Sequence, residues 1–181
     1  LGTGFMQKYD LSVSGGSDKI SFFASGNFIS QKGLIPNDEY DRTNLRLNAD
    51  ANILPWAKFS LETSLRQSNT LNPGMGTPKS IINQCLYMLP TLSAAKELDG
   101  NWGYGKNGLN PTAMANDSGE KRTRSSEVVA NGTLTLTPLA GLEVLGQYSR
   151  RQVQSRNRTL ITPYTTSLGG NVMGIYPSED G

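Results

Sequence analysis

"YDRTNLRLNADANI", Tyr40 to Ile53, alternates apolar and polar residues almost without a break. Thr43, Leu45, Leu47, Ala49, Ala51 and Ile53 share one side of an extended chain, and Arg42, Asn44, Arg46, Asn48, Asp50 and Asn52 share the other. This is the period of a β-strand with two unlike faces, because successive side chains point to opposite sides. The run outlasts the usual five or six residues of a strand in a soluble sheet and meets the roughly 9 to 11 tilted residues that a bilayer-spanning strand needs.

Five further runs repeat the pattern, which predicts strands over 8–16, 19–31, 39–54, 57–69, 124–137 and 141–154. Tyr9, Leu11 and Val13 oppose Asp10, Ser12 and Ser14, and Phe59, Leu61, Thr63 and Leu65 oppose Ser60, Glu62, Ser64 and Arg66. Phe23, Ile29, Val129 and Leu145 break the alternation. The connections "GGSD" (15–18), "LPWA" (54–57) and "TPLAG" (137–141) are tight turns built on Gly or Pro. Between them lie "QKGLIPNDEY" (31–40) and a long loop over 70–122, so short and long connections alternate. In an up-and-down meander alternate turns share an end, which puts every short turn on one side and every long loop on the other, as in outer-membrane barrels. Trp56, Phe59, Tyr9, Phe28, Tyr40 and Tyr148 lie near strand ends, where aromatic girdles stand. A soluble two-layer sandwich or lipocalin-like barrel also alternates, and remains the competing architecture.

Composition narrows function. Among 181 residues, 17 Lys+Arg against 15 Asp+Glu give a net charge of +2 with the signs interspersed, which is no nucleic-acid footprint. With no histidine and one cysteine, neither the usual general base nor a metal cluster is on offer, so no enzyme activity, cofactor or metal is expected. No stretch approaches the roughly 20 apolar residues of a spanning helix.

The residues also resemble a known family. The Tyr9 to Gly16 hairpin strand, Phe22 to Phe28, Gln31 to Ile35, the Asn- and Arg-rich Tyr40 to Asn48, and Trp56 with Lys58 occur in the order seen early in the barrel of SusC/RagA-type TonB-dependent transporters of the Bacteroidetes outer membrane. "DGNWGYGKNGLNPTA" (99–113) and "NGTLTLTPLAGLEVLGQYS" (131–149) are similar to later segments, so the resemblance spans the chain to about residue 150, and the last thirty residues are too variable to place. Phe28 and Lys8 depart from the Tyr and Asn common in the family. The resemblance implies an all-β chain: an antiparallel up-and-down meander forming part of a large transmembrane β-barrel of roughly 22 strands, with long extracellular loops. The plug and the remaining barrel are then expected outside 1–181, since an open sheet in lipid leaves unpaired edges. It further implies a SusC-like importer of glycan or peptide fragments in the bacterial outer membrane. A SusD-like surface lipoprotein, the TonB complex and outer-membrane lipid would be its partners, in a dimer of transporter–lipoprotein pairs. A passive or adhesive surface barrel and a soluble carbohydrate-binding β-sheet module are the alternatives.

Within the long loop, Ile81, Ile82, Cys85, Leu86 and Leu89 recur at helical spacing before Pro90, predicting a short helix that packs on the barrel rim with Cys85 buried. "DGNWGYGKNG" gathers Asp99, Asn101, Trp102, Tyr104 and Lys106 on a flexible glycine-rich backbone and is the best binding candidate, its aromatics able to stack on sugars or hold a peptide. It is no P-loop, and Asn110 stands where a calcium loop needs Glu. Arg42, Arg46, Asp50, Glu62 and Arg66 are expected to face the lumen, pairing across strands or lining a path. "SRRQVQSRNR" (149–158) is a basic run expected at a solvated loop edge, with acidic lipopolysaccharide as its other possible contact.

Overall fold

The computed structural model describes residues 2–88 and 95–177. Six strands form one antiparallel sheet: β1 (Phe5–Gly16), β2 (Ile20–Lys32), β3 (Glu39–Leu54), β4 (Ala57–Pro73), β6 (Gly119–Leu139) and β7 (Leu142–Ile161). The segment between β4 and β6 holds α1 (Pro78–Tyr87), β5 (Trp102–Gly103) and α2 (Pro111–Asn116), and after β7 come β8 (Tyr164–Leu168) and β9 (Asn171–Tyr176). The large sheet runs β1-β2-β3-β4-β6-β7, each strand beside its predecessor, so it is an open meander with β1 and β7 as its edges.

The strands outrun the sequence-based ranges at the loop end. β6 begins at Gly119 rather than at 124 and β7 continues to Ile161 rather than 154, so the basic run over 149–158 is strand and not loop. The connection expected over 70–122 shrinks accordingly, and it carries two helices where one was expected. At the opposite end, Gly141 sits at φ 82 between β6 and β7, a left-handed conformation that favours glycine. A bulge between Asn52 and Leu54 accommodates the turn from β3 to β4.

Neither face of the large sheet is covered by a second sheet among the described residues, and its apolar residues stand exposed: Leu11 at 78%, with Ile20, Leu45, Leu47 and Leu134. The compact core lies instead at the loop end, where Ile35, Ile81, Trp102, Ala113, Met114, Ala115 and Tyr164 pack together with Met75, Leu109 and Tyr176 against them. This core joins the β2–β3 connection, both helices and the small parallel-antiparallel sheet β5-β8-β9. Gly119, at φ 87, lets the chain turn from α2 into β6; a Cβ there would meet the Leu160 carbonyl oxygen at 2.2 Å. Leu89 and Pro90, expected to close the first helix, lie outside the described residues.

Candidate functional site

Register carries the polar residues into rows. Asp10 faces Asn27, Asn27 faces Asn44, Asn44 faces Arg66 and Arg66 faces Glu127, one residue from each of five strands. The next row is Ser12, Ser25, Arg46, Ser64 and Val129, and the one beyond is Ser14, Phe23, Asn48, Glu62 and Asn131. All five residues expected on the lumen side, Arg42, Arg46, Asp50, Glu62 and Arg66, therefore share one face. A groove of about 610 Å³ opens on it, lined among others by Asp10, Asn27, Asn44, Arg46 and Arg66. A smaller hollow of about 250 Å³ lies between Arg46, Asn48, Glu62 and Asn131, so Arg46 borders both.

Pairing is uneven across this face. Asp50 accepts from Ser60 Oγ at 2.5 Å and pairs with Lys58 Nζ at 3.3 Å, which satisfies it locally. Lys8 pairs with Asp10 at 3.0 Å, Asp10 accepts from Asn27 Nδ2, and Asn27 Oδ1 accepts from Asn44 Nδ2 at 3.1 Å. This relay across three strands is visible in the sequence only as alternation, because its partners are 17 residues apart along the chain. Among the described residues Arg46, Glu62 and Arg66 make no ion pair, and Arg42 Nε is buried without a hydrogen-bond partner. The face thus keeps uncommitted cationic groups beside its groove.

At the loop end, two caps set the local structure. Thr77 and Ser80 form a capping box at α1, with Pro78 in its first turn. Asn110, fully buried, accepts from the Thr112 and Ala113 amides and donates to the Gly103 and Ala95 carbonyls. The residue that fails as a calcium ligand is the cap of α2 and the tie between α2 and β5.

The stretch around Trp102 is built rather than loose. Trp102 is only 9% exposed, its Nε1 donates to Asp117 Oδ2 at 2.8 Å, and Lys96 Nζ stands 4.5 Å from the ring centroid. Burial takes the indole away from the exposed stacking surface expected of it. Asp99 accepts from the Asn101 backbone and side-chain amides and from Ser167 Oγ, each at 3.0 Å. These bonds, that of the Asn101 side chain foremost, hold its carboxyl below the usual range. Tyr104 hydrogen-bonds Tyr176 and raises that phenol, while Lys106 Nζ lies 4.9 Å from the centroid of the Tyr87 ring. Asp99, Tyr104 and Lys106 thus engage their polar groups with neighbours in the layer, Asp99 and Lys106 at its exposed surface. What remains open is a cleft of about 480 Å³ between Lys96, Asn101, Asn116, Asp117, Tyr164 and Thr165, with Trp102 in its wall. Cys85 is exposed rather than buried, since of the apolar positions on α1 only Ile81 reaches the core.

No protein-family profile matches the chain, and no curated protein does. Among solved structures, one of the RagAB peptide importer in its closed-closed state aligns over 83% of this chain with a TM-score of 0.64 and 19% identity. The chain spans 18% of that importer chain's length. At such identity the likeness is one of fold: the open six-stranded meander and its loop-end layer have the architecture of a segment of that much longer chain.

Proposed function

We propose that this chain is a segment of a SusC-like, TonB-dependent importer that takes up peptide or glycan fragments across a bacterial outer membrane. The observation that carries the reading is the course of the apolar band on the outward face of the sheet. Following the register from Tyr9 on β1 leads through Phe28, Thr43, Gln67 and Ser126 to Gln154 on β7. The aromatic edge of the band on β7 is instead Tyr148, six positions nearer the turn (154 against 148). Following Val13 in the same way leads to Arg150, while the band on β7 runs on through Val144 to Leu142, six and eight positions nearer the turn (150 against 144 and 142). The band therefore leans toward the turns from β1 to β7, on its loop side by about 20 Å at about 3.3 Å per residue. Strands tilted against a bilayer would give such a lean to a band that lies level with the membrane.

The rest of the molecule supports this reading. Tyr9 and Phe28 stack at the band's loop-side edge with ring centroids 6.5 Å apart, and Trp56 stands exposed at the turn side, as girdle residues would. Arg42, Arg46, Asp50, Glu62 and Arg66 line the opposite face, the wall of a solvated lumen along which cargo passes. The loop-end layer faces outside, where a SusD-like surface lipoprotein would close over it, and the cleft beside Asn101, Trp102 and Asp117 is where cargo first meets the chain. Binding and gated passage, with energy from the TonB complex, make up the mechanism; no bond chemistry is assigned.

The test is made on the native protein. Outer membranes are extracted in detergent and the polypeptide containing this sequence is identified, with its intact mass and companions. A chain near 100 kDa travelling with a lipoprotein, and loss of peptide or oligosaccharide uptake on deletion of its gene, support the importer. A membrane-embedded chain with no energised uptake supports a passive barrel instead, and a chain near 20 kDa in the soluble fraction overturns the reading.

A further inference from the structure

Two arginines on the lumen face stand close enough to share one anion. Register sets Arg46 directly opposite Ser64, and Arg66 is the next inward position on β4 toward the loops, so the two are diagonal neighbours. Diagonal positions on one sheet face lie about 7–8 Å apart, within reach of long side chains. Both arginines line the groove of about 610 Å³ and both are exposed. Neither makes an ion pair among the described residues.

The acids around them leave this charge uncancelled. Asp10, at the β1 end of the groove, is held by Lys8 at 3.0 Å and by Asn27 Nδ2. Glu127, directly opposite Arg66 on β6, accepts from Arg151 Nε at 2.6 Å. Each of these acids has a cation of its own. Glu62, which makes no ion pair among the described residues, is the next inward position from Ser64 toward the turns and shares the smaller hollow with Arg46. Two arginines less one free glutamate leave the centre of the groove with a single positive charge, and Arg66, the farther from Glu62, is the less compensated.

The groove therefore offers donors to a singly charged anion. Ser25 and Ser64 stand in the same row as Arg46 and add hydroxyls beside the guanidinium groups. A guanidinium fork matches the two oxygens of a carboxylate and binds them bidentately. The volume also falls within the roughly 300–1,000 Å³ usual for small-ligand sites.

We propose that Arg46 and Arg66 form a carboxylate-binding station on the lumen wall, with Glu62 competing for Arg46 and so setting its strength. The carboxylate is carried by the cargo, as the C-terminus of a peptide or the uronic acid of a glycan. The proposal rests on the reading of this face as the wall of a cargo path. It goes beyond that reading by requiring an acidic group on the cargo and by naming the residues that receive it.

The test is calorimetric titration of the detergent-purified full-length protein. The probes are N-acetyl-trialanine, its C-terminal amide, a disaccharide ending in glucuronic acid and the same disaccharide ending in glucose. The wild type is expected to bind at least one acid probe on the order of tenfold more tightly than its neutral counterpart. R66Q is expected to weaken binding of that acid probe on the order of tenfold or more, and R46Q by less, with the neutral counterpart unaffected. E62Q is expected to tighten it about two- to fivefold, because a like charge at diagonal spacing is removed. K58Q, which removes a cation already paired with Asp50, is expected to bind as the wild type does.

Preference for the peptide acid identifies a peptide end as the source and preference for the glucuronide an acidic sugar; both support the site. Equal binding of acid and neutral forms by the wild type overturns it, a comparison that holds even if a variant fails to assemble. So does a wild type that binds neither acid probe, the result if an acid elsewhere in the full-length protein fills the groove. An unchanged R66Q, equal losses in R66Q and K58Q, or an E62Q no tighter than the wild type each overturn it as well. The titration needs no transport, so absence of the protein from outer membranes fails the importer reading as a separate outcome.

Discussion

Trp102 Nε1 donates a 2.8 Å hydrogen bond to Asp117 Oδ2, tying β5 to the end of α2 across the wall of the loop-end cleft. A hydrogen bond to a charged acceptor contributes about 1.5–3 kcal/mol. Trp102→Phe keeps most of the apolar contact with the core but removes the donor, so it is expected to loosen the loop layer by about 2 kcal/mol. Asp117→Asn keeps an acceptor oxygen and is expected to cost less. Hydrogen exchange over residues 95–118 of the native protein reads both changes. Faster exchange there with an unchanged large sheet is expected, whereas equal acceleration across β1 to β4 would mean the layer is not a separate unit.

Asn110 gives a sharper contrast, because one fully buried side chain uses both of its ends. Its oxygen caps α2 by accepting from the Thr112 amide at 2.9 Å and the Ala113 amide at 3.2 Å. Its nitrogen donates to the Gly103 carbonyl at 2.9 Å and the Ala95 carbonyl at 3.2 Å. Asn110→Ala loses the cap and leaves buried groups unmatched, a cost of about 3 kcal/mol. Asn110→Asp retains the cap acceptors but turns a carboxylate toward two carbonyl oxygens. It is therefore expected to be no better than alanine at neutral pH and to recover in acid, where protonation restores a donor. Protease resistance of the loop layer at both pH values checks this; an Asp variant as stable as the wild type at neutral pH would refute the donor role.

Tyr164 couples the same layer to alkaline pH. Burial pushes its phenol up to about 12, against the smaller opposing pull of the Asn110 backbone. Below an ordinary tyrosine value near 10 the phenol is neutral whether the layer is folded or not, and its contribution is fully present. Between about 10 and 12 only the unfolded form ionises, so folding loses stability as pH rises, by up to about 2–3 kcal/mol. Tyr164→Phe is expected to remove this part of the alkaline loss. Phenolate absorbance followed together with proteolysis tests it: a Tyr164 that titrates near 10 with the layer intact would sink the prediction.

Much of this was legible before the structure, for reasons that particular residues make clear. β3 reads as a strand because Leu45, Leu47 and Ala49 alternate with Arg46, Asn48 and Asp50, and that contrast exists only where one face is apolar. The same strands become unreadable above the band. Residues 119–126 of β6 and 150–161 of β7 carry Arg, Ser, Thr, Gln and Asn on both faces, so period two persists in the backbone without a signal in hydropathy. The loop-end core was hidden for a different reason. Ile35, Ile81, Trp102, Met114 and Tyr164 come from five separate segments, and no local pattern announces that they meet. The small sheet β5-β8-β9 has strands of two, five and six residues, too short for alternation to show. Arg42, Arg46, Asp50, Glu62 and Arg66 could be grouped from the sequence because parity alone puts them on one face. The burial of Trp102 and the exposure of Cys85 depend on packing between elements, which parity does not reach.

The two faces of the sheet can be told apart by moving one charge along a strand. Leu61 lies outward in the row Gly15, Phe22, Ala49, Leu61 and Gly132, near the middle of the apolar run Phe59 to Leu65 on β4. Asn131 lies inward, directly opposite Glu62. Leu61→Lys places an ammonium in lipid and is expected to cost about 2–4 kcal/mol, whereas Asn131→Lys gains an opposite charge on a solvated face and should be within about 1 kcal/mol of the wild type. Asn69→Lys, outward on the same strand as Leu61 and beyond that apolar run toward the loops, should cost little, because the penalty falls off near the interface. Urea or heat unfolding of the reconstituted protein in lipid ranks the three. A penalty that is large at Leu61, small at Asn69 and near zero at Asn131 follows from a bilayer around the outward face. Equal penalties at Leu61 and Asn69 would mean that no depth exists along β4 and that the apolar face meets protein instead of lipid.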